Sequence, residues 1–411
     1  MKSLIYISIR FFLVTLFIFT SLPLLSIEIE INGINYDLDP KTKIGTVISR
    51  RNGVYSGSVV IPESVIFKNT EHRITQIGYA AFSNCNKLSS ITIPNSINNI
   101  NYFAFEGCNE LRFVNISSLS TWMKIEFGNK EANPLSNSAH LYLRNKEIKE
   151  LEVPSDIKCI KDYSFVNCKG LTSININDSI TRVGKYSFAN CEDLNSVILG
   201  NNITEIGNCA FYSCVKLQSV TLGNKLTHIG ESAFYGCKSI QHLNIPNSVT
   251  CIEDFVFQNC VGLKTFIVGE NVKSIGACAF NRCRNLISIS IPNKVSIIGN
   301  LAFCGCSSIT SITIPNSVKI IGRMAFKDCS KLENVSIGVG IEHIDDKAFC
   351  NCKMLLNLHC HSEKMPQTSA DIFEGSYLDY TTLYVKKNIY EGYKNTKPWS
   401  NFGKIEVLSD K

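Results

Sequence analysis

The stretch FNRCRNLISISIPNKVSIIGNLA at residues 280–302 is followed directly by FCGCSSITSITIPNSVKIIGRMA at residues 303–325. Each segment is 23 residues long, and the two align without a gap. Both place Phe first, Cys fourth, and apolar residues seventh, tenth and twelfth. A repeat this regular predicts a solenoid in which every period forms one rung of a coil.

The Phe-x-x-Cys element extends the same register through most of the chain. Eleven copies begin at Phe82, Phe105, Phe165, Phe188, Phe211, Phe234, Phe257, Phe280, Phe303, Phe326 and Phe349. Every step is 23 residues except the one from Phe105 to Phe165, which is 60 residues, or two periods of 23 plus 14. A fixed period of about 20–30 residues is typical of a leucine-rich-repeat coil.

Two apolar patterns within each period predict two opposite walls. In Leu286, Ile289 and Ile291 the last two positions alternate with polar residues, as a half-buried strand requires. A second pair, such as Val318 and Ile321, is expected to line the opposite wall. The predicted fold is therefore a β-rich repeat solenoid, a leucine-rich-repeat coil of short parallel strands with one rung per 23 residues and a cap at each end.

The ends of the chain depart from the repeat. Residues 1–26 carry Lys2 and Arg10 beside an apolar run, which predicts a secretory signal peptide cleaved after Ser26. An uncleaved membrane anchor is the alternative, and only then is a membrane an expected partner. Residues 27–58, with the turn pair Asn32-Gly33, predict a hairpin-rich N-terminal cap.

The solenoid is predicted over residues 59–360, with an insertion at about 117–147, and a C-terminal cap over residues 361–411. The cap contains a predicted strand from Thr382 to Val385. Four aromatic residues are expected to cover the last rung: Tyr390, Tyr393, Trp399 and Phe402. The insertion carries Trp122 and Phe127 at a helix-like spacing, and the simplest interpretation is that both pack on neighbouring rungs.

Composition and cysteine register exclude several chemical classes. The net charge of +6 comes from scattered Lys and Arg residues, so no nucleic-acid partner is expected. Eleven of the 18 Cys hold one register position, one in each Phe-x-x-Cys element. Parallel Cβ vectors from successive rungs do not have the crossed geometry of a disulfide, so we expect buried thiols that form a ladder.

No catalytic or metal site is predicted. The sequence has no phosphate-binding loop, nucleophile elbow or HExxH motif, and its acidic residues form no repeated pair. The best metal candidates are His359-Cys360-His361 and the neighbouring-rung pair His228 with Cys251. In a strand, His359 and His361 lie on the face opposite Cys360, which prevents a three-ligand set. We expect neither a cofactor nor enzymatic activity.

The remaining candidate is a surface made by the outward side chains of the predicted strands. Its centre comprises Ser219, Thr221, His242, Asn244, Thr265, Ile267, Ser288 and Ser290. Short polar side chains can form hydrogen bonds at low entropic cost, although Ser and Thr are also ordinary exposed strand residues. The rival site is Trp122, as an aromatic anchor on the insertion.

With the motifs LTSINI, SITIPNSV, IGESAFYGC and IGACAFNRC, residues 27–411 resemble the BspA-type leucine-rich repeats of bacterial surface proteins. The insertion and the tail also resemble members from Bacteroides-type bacteria, and related repeats occur in protist surface proteins. The resemblance implies export, a surface location and, in some members, adhesion to host proteins. It implies no particular ligand, because the shared motif consists of core residues.

Two functions remain open at this point. The chain binds an extracellular protein or glycan, or it is a structural coat or spacer protein without a specific ligand. An aromatic or Arg-rich patch on the folded surface would favour the first, and a uniformly bland surface the second.

Overall fold

The computed structural model describes residues 26–409. The predicted signal peptide, apart from Ser26, therefore lies outside the described residues. The described chain forms a β-solenoid whose regular turns lie 23 residues apart, which confirms the predicted fold class. One apolar core runs along the coil between two walls of short strands.

The first wall is built from strands that we call the front strands. The front strands form four sheets, and within each sheet neighbouring front strands pair in parallel. The register Ser196↔Ser219 shows an offset of one repeat. In order they are Gly57–Val60, Leu88–Ile93, Phe113–Ile116, His140–Leu143, Glu150–Glu152, Ser173–Asn175, Ser196–Ile198, Ser219–Thr221, His242–Asn244, Thr265–Ile267, Ser288–Ser290, Ser311–Ile314, Asn334–Ile337, Asn357–Cys360, Thr382–Val385 and Lys404–Val407.

The opposite wall is built from back strands, most of them two residues long. They pair in parallel within three sheets, with breaks after Glu126–Phe127 and His228–Ile229. They are Ile44–Ile48, Thr70–Ile77, Asn99–Ile100, Glu126–Phe127, Cys159–Ile160, Arg182–Val183, Glu205–Ile206, His228–Ile229, Cys251–Ile252, Ser274–Ile275, Ile297–Ile298, Ile320–Ile321, His343–Ile344 and Gln367–Thr368. The second apolar pair of the repeat thus forms its own wall, as predicted. In the regular rungs, a turn segment that contains the repeated Phe lies between the back strand and the next front strand.

The repeated Phe side chains stack into a column inside the coil. Phe280 and Phe303 have ring centroids 5.3 Å apart and planes only 1° from parallel. The column runs from Phe165 to Phe373, with a separate pair at Phe82 and Phe105. Phe373 lies beyond residue 360, where the sequence places the start of the C-terminal cap, so the repeat continues for one more turn.

The ladder thiols have a backbone partner that the sequence did not reveal. The Sγ of Cys283 donates to the carbonyl of Phe257 at 3.2 Å, and nine thiols make this contact 26 residues back at 3.0–3.3 Å. Cys85 and Cys168 belong to the first rung of the Phe82–Phe105 pair and of the Phe165–Phe373 column, so no repeated Phe lies 26 residues before them. Their Sγ atoms lie near other carbonyls, at 3.9 and 4.0 Å. The nine Cys therefore pack as small apolar groups and also satisfy turn carbonyls.

The folded protein is expected to resist alkylation at the ladder thiols at about pH 8. Burial raises the pKa of Cys108, Cys168 and Cys260 to about 12, which removes the reactive thiolate. After unfolding without reductant, most of the eleven should be alkylated, because we expect them to be unpaired. Mass spectrometry counts the adducts; modification of fewer than about half would contradict the thiol ladder.

The N-terminal cap is an antiparallel unit. Ile27–Ile31 pairs with Ile34–Asp39 around the turn residues Asn32 and Gly33, whose φ values of 51° and 78° suit a two-residue hairpin. Ile34–Asp39 pairs in turn with the back strand Ile44–Ile48, and Ser64–Phe67 pairs antiparallel with Thr70–Ile77. Tyr55 covers the first column residue, with its ring 4.7 Å from that of Phe82.

The insertion keeps part of the rung pattern. It contains the helix Leu119–Lys124, the 3-10 turns Lys130–Ala132 and Pro134–Asn137, and the short strand Lys146–Glu147, antiparallel to His140–Leu143. The helix-like spacing of Trp122 and Phe127 is not one helix: the helix ends at Lys124, and Phe127 pairs with Ile100 in the back wall. Phe127 therefore adopts a strand conformation, because its pairing with the previous rung outweighs the helical tendency of the residues before it.

The C-terminal cap closes the last rung with aromatic side chains, as expected. The ring of Trp399 lies 5.6 Å from that of Phe373 at 73°, and Phe402 lies 5.1 Å from Phe373 at 88°. Tyr393 and Trp399 are fully buried. The segment includes the helix Tyr390–Asn395 and the 3-10 turns Leu378–Tyr380, Lys387–Ile389 and Trp399–Asn401.

Candidate functional site

The predicted surface, which we call the front face, lies on the solvent side of the front strands. All eight of its predicted central side chains are exposed: Ser219, Thr221, His242, Asn244, Thr265, Ile267, Ser288 and Ser290. Between them, Leu243, Phe266 and Ile289 are buried, and Val220 is partly buried. This alternation follows from strand geometry, because successive side chains point to opposite sides.

Strand register aligns these side chains in two rows. His242, Thr265 and Ser288 occupy one row, and Asn244, Ile267 and Ser290 the other. A hydrogen bond of 2.6 Å joins His242 Nδ1 to Thr265 Oγ1. Ile267, 60% exposed, is an apolar point among hydrogen-bonding groups. The arrangement can contact an extended ligand through polar groups and one apolar side chain.

The backbone ladder behind the front face is not continuous along the coil. Backbone pairing is interrupted between Ser219–Thr221 and His242–Asn244, and again between Ser288–Ser290 and Ser311–Ile314. Ser219 and Thr221 therefore belong to one sheet and the other six residues to a separate three-stranded sheet. A strict 23-residue period fixes which residues face outward, but not whether each pair of rungs stays within hydrogen-bonding distance.

The rival site at Trp122 is corrected by the structure. Trp122 is 1% exposed, and its ring lies 5.3 Å from that of Phe127. Its Nε1 donates to the backbone carbonyl of Ser164 at 3.1 Å. Trp122 is thus a core residue that joins the insertion to the following rung, as the simpler interpretation predicts, and it cannot anchor a ligand at the surface.

A tyrosine-rich surface on the turn segments was missed by the sequence analysis. Tyr163 stacks on Tyr186 at 5.7 Å, and Tyr212 stacks on Tyr235 at 4.7 Å. Tyr79 and Tyr102, 69% and 54% exposed, lie on the same side of the coil. Each of these tyrosines lies within three residues of a repeated Phe, and this recurrence near the Phe was the available signal. Half-exposed tyrosines are favourable contacts for a protein partner.

The His359-Cys360-His361 segment has other contacts. Cys360 is buried with its Sγ 3.2 Å from the hydroxyl of Tyr393, and the ring of His359 stacks on Tyr384 at 4.4 Å. Burial lowers the pKa of His359, and the nearby His361 lowers it further. Among residues 26–409, no cluster of three or more His, Cys, Asp or Glu side chains is arranged to hold a metal ion.

Comparison with protein-family models gives one match. Residues 59–133, 138–264 and 250–379 match the model described as the BspA type leucine rich repeat region, in six copies. The comparison with curated proteins gives no match. Within the described part of the chain, neither helix reaches the length and apolar character needed to span a bilayer.

Several solved structures have a similar fold. A leucine-rich repeat protein from Bacteroides ovatus matches with TM-score 0.51 and 23% identity, over 83% of this chain and 99% of that one. A leucine rich cell surface protein from Faecalibacterium prausnitzii matches with TM-score 0.56 and 24% identity, over 81% and 94%. The pneumococcal vaccine antigen PcpA matches with TM-score 0.53 and 18% identity, over 94% and 100%. At these identities the likeness establishes the fold alone.

Proposed function

The chain belongs to the BspA-type leucine-rich repeat family, and from this premise we propose that it is an exported, non-catalytic surface protein that binds an extracellular protein or glycan. One of the similar structures is that of a protein described as a cell surface protein, which supports the proposed location. The partner docks on the front face, around the two rows that contain His242 and Asn244.

The observation that carries this proposal is the exposure of all eight predicted side chains on a backbone fixed by strand pairing. Buried residues behind them hold the strand in place, so little conformational entropy is lost when a ligand binds. The turn-segment tyrosines favour recognition over a mere spacer role, because an inert coat does not require half-exposed aromatic side chains.

The first experiment is a binding screen of the purified chain against extracellular matrix proteins and a glycan array. A specific ligand is expected from one of the two sets. Failure to bind any component would favour the structural coat or spacer.

Once a ligand is found, the triple variant His242→Glu, Asn244→Glu, Ser290→Glu is expected to weaken its binding at least about tenfold. The added side chains are bulkier and charged at exposed positions outside the core. The matched control places the same three carboxylates on the next front sheet, as Ser311→Glu, Thr313→Glu, Asn334→Glu. Titration calorimetry gives Kd, and circular dichroism checks the fold of each variant.

A third variant, Tyr212→Ser with Tyr235→Ser, separates the two candidate surfaces. Full binding by the triple variant together with loss of binding by the tyrosine variant would contradict the front face as the docking site.

A further inference from the structure

The front wall is open at the insertion. Lys146–Glu147 is the last strand of the N-terminal front sheet, and Glu150–Glu152 is the first strand of the next one. Between them lies a cleft of about 730 Å³, which we call the notch, lined by Leu119, Leu143, Lys146, Ile148, Glu150 and Glu152 among others. The notch is therefore flanked by two strand edges.

One of these edges offers backbone hydrogen-bonding groups. The carbonyl of Lys149 accepts from Ser173 N at 3.3 Å, and Val153 N donates to the carbonyl of Asn175 at 3.4 Å. Odd-numbered residues of this strand thus face the neighbouring strand, and the N–H and C=O groups of Glu150 and Glu152 point the other way, towards the notch. Glu150–Glu152 pairs with Ser173–Asn175 alone, so these groups have no strand partner among the described residues.

The same strand is held rigidly. Leu151 is 1% exposed and packs in the core. Just before the strand, Ile148 N donates to the carbonyl of Leu141 at 2.8 Å. Leu119 and Leu143 are half-buried on its apolar side. A fixed edge with an apolar floor suits an extended chain, which can pair through its backbone and bury alternate side chains.

The charges of the notch indicate which extended chain fits. Glu147 is already engaged, with Oε1 2.5 Å from His140 Nδ1 and Oε2 3.7 Å from Lys149 Nζ. Glu150 and Glu152 are exposed, and neither has an ion-pair partner among the described residues. Their positions two residues apart put both carboxylates on one side of the strand, where they complement basic residues at alternate positions of a paired strand.

We propose that the notch binds an extended peptide segment of a protein partner by strand addition to Glu150–Glu152, with two basic side chains of the peptide beside Glu150 and Glu152. This site is separate from the front-face site around His242, and neither depends on the other. The front wall is also interrupted after Thr221 and after Ser290. These interruptions differ from the notch, because no inserted segment lies between the successive rungs there.

The test uses a labelled synthetic peptide, Thr-Lys-Val-Lys-Val-Lys-Thr with blocked ends, and fluorescence polarisation with the full chain. The peptide should bind, and Glu150→Lys with Glu152→Lys should weaken binding at least about tenfold. The matched control reverses two exposed carboxylates elsewhere, Glu231→Lys with Glu270→Lys, and should bind like the wild type. The triple front-face variant should also bind like the wild type.

A second measurement tests the strand pairing itself. N-methylation of alternate peptide amides should weaken binding at least about tenfold, because a strand needs its N–H groups to pair. Hydrogen exchange of the segment that contains Glu150 and Glu152 should slow when the unmodified peptide is bound. Absence of binding, equal binding by the Glu150 and Glu152 variant, or equal binding by the N-methylated peptide would each overturn the proposal.

Discussion

Replacing Phe257 with alanine is expected to lower the free energy of unfolding by about 3–5 kcal/mol. The Phe257 ring stacks between Phe234 at 5.7 Å and Phe280 at 5.5 Å, and Phe266 meets it edge-on at 4.9 Å. Removing the ring takes away contacts on three sides. The Phe257 amide donates to the carbonyl of Ala279 at 2.8 Å. This bond fixes the spacing of the two rungs, so the backbone cannot move in to fill the cavity. Denaturant unfolding followed by circular dichroism measures the loss.

Phe113→Ala is the matched control for this change. Phe113 also lies in a rung, but its ring is 47% exposed on the front face, so its removal should change the free energy of unfolding by less than about 1 kcal/mol. A Phe257→Ala variant that unfolds at the wild-type denaturant concentration would contradict a supporting role for the column.

The column was predictable because the repeat makes every Phe equivalent. A residue at a fixed place in a 23-residue period meets its own copies above and below in any regular coil. The same argument predicted correctly that Ser219, His242 and Ser290 are exposed and that Leu243 is buried. Spacing alone thus gives the core, the two walls and the outward-facing side chains.

The backbone of the turn segments could not be predicted in this way. Phe103, Tyr163 and Leu301, each two residues before a repeated Phe, have φ values of 61°, 63° and 58°. Bulky side chains rarely adopt this region, and the sequence places no Gly there to signal it. Hydrogen bonds to the next rung hold the conformation, as when Leu301 N donates to the carbonyl of Arg323 at 2.8 Å.

The candidate sites were predictable in part, and the insertion limited the rest. The sequence located the insertion but gave no repeat copy against which to align it, so the strand at Phe127 and the notch beside Glu150 came only from the structure. The interruptions of the front face could not be predicted for a second reason. They depend on the distances between rungs, and the repeat period gives the positions of residues but no distances.

Trp122→Ala is expected to lower the free energy of unfolding by about 3–5 kcal/mol. The indole fills the junction between the insertion and the following rung: it contacts Phe127, and its Nε1 reaches the carbonyl of Ser164. In a coil whose stability is a sum of rungs and the interfaces between them, a weak junction uncouples the two parts. Denaturant unfolding measures the loss. The control is Tyr380→Ala: Tyr380 is 81% exposed, so this change should alter the free energy of unfolding little.

Trp122→Phe separates packing from hydrogen bonding at this junction. The phenyl ring keeps most of the apolar contact but has no Nε1 donor. The Ser164 carbonyl retains a second donor, Asn133 Nδ2 at 3.0 Å, so losing the indole bond should cost only about 1 kcal/mol. A loss as large as that of Trp122→Ala would show that the hydrogen bond, and not the ring, holds the junction. Wild-type stability in the alanine variant would show that the insertion does not join the two parts of the coil through Trp122.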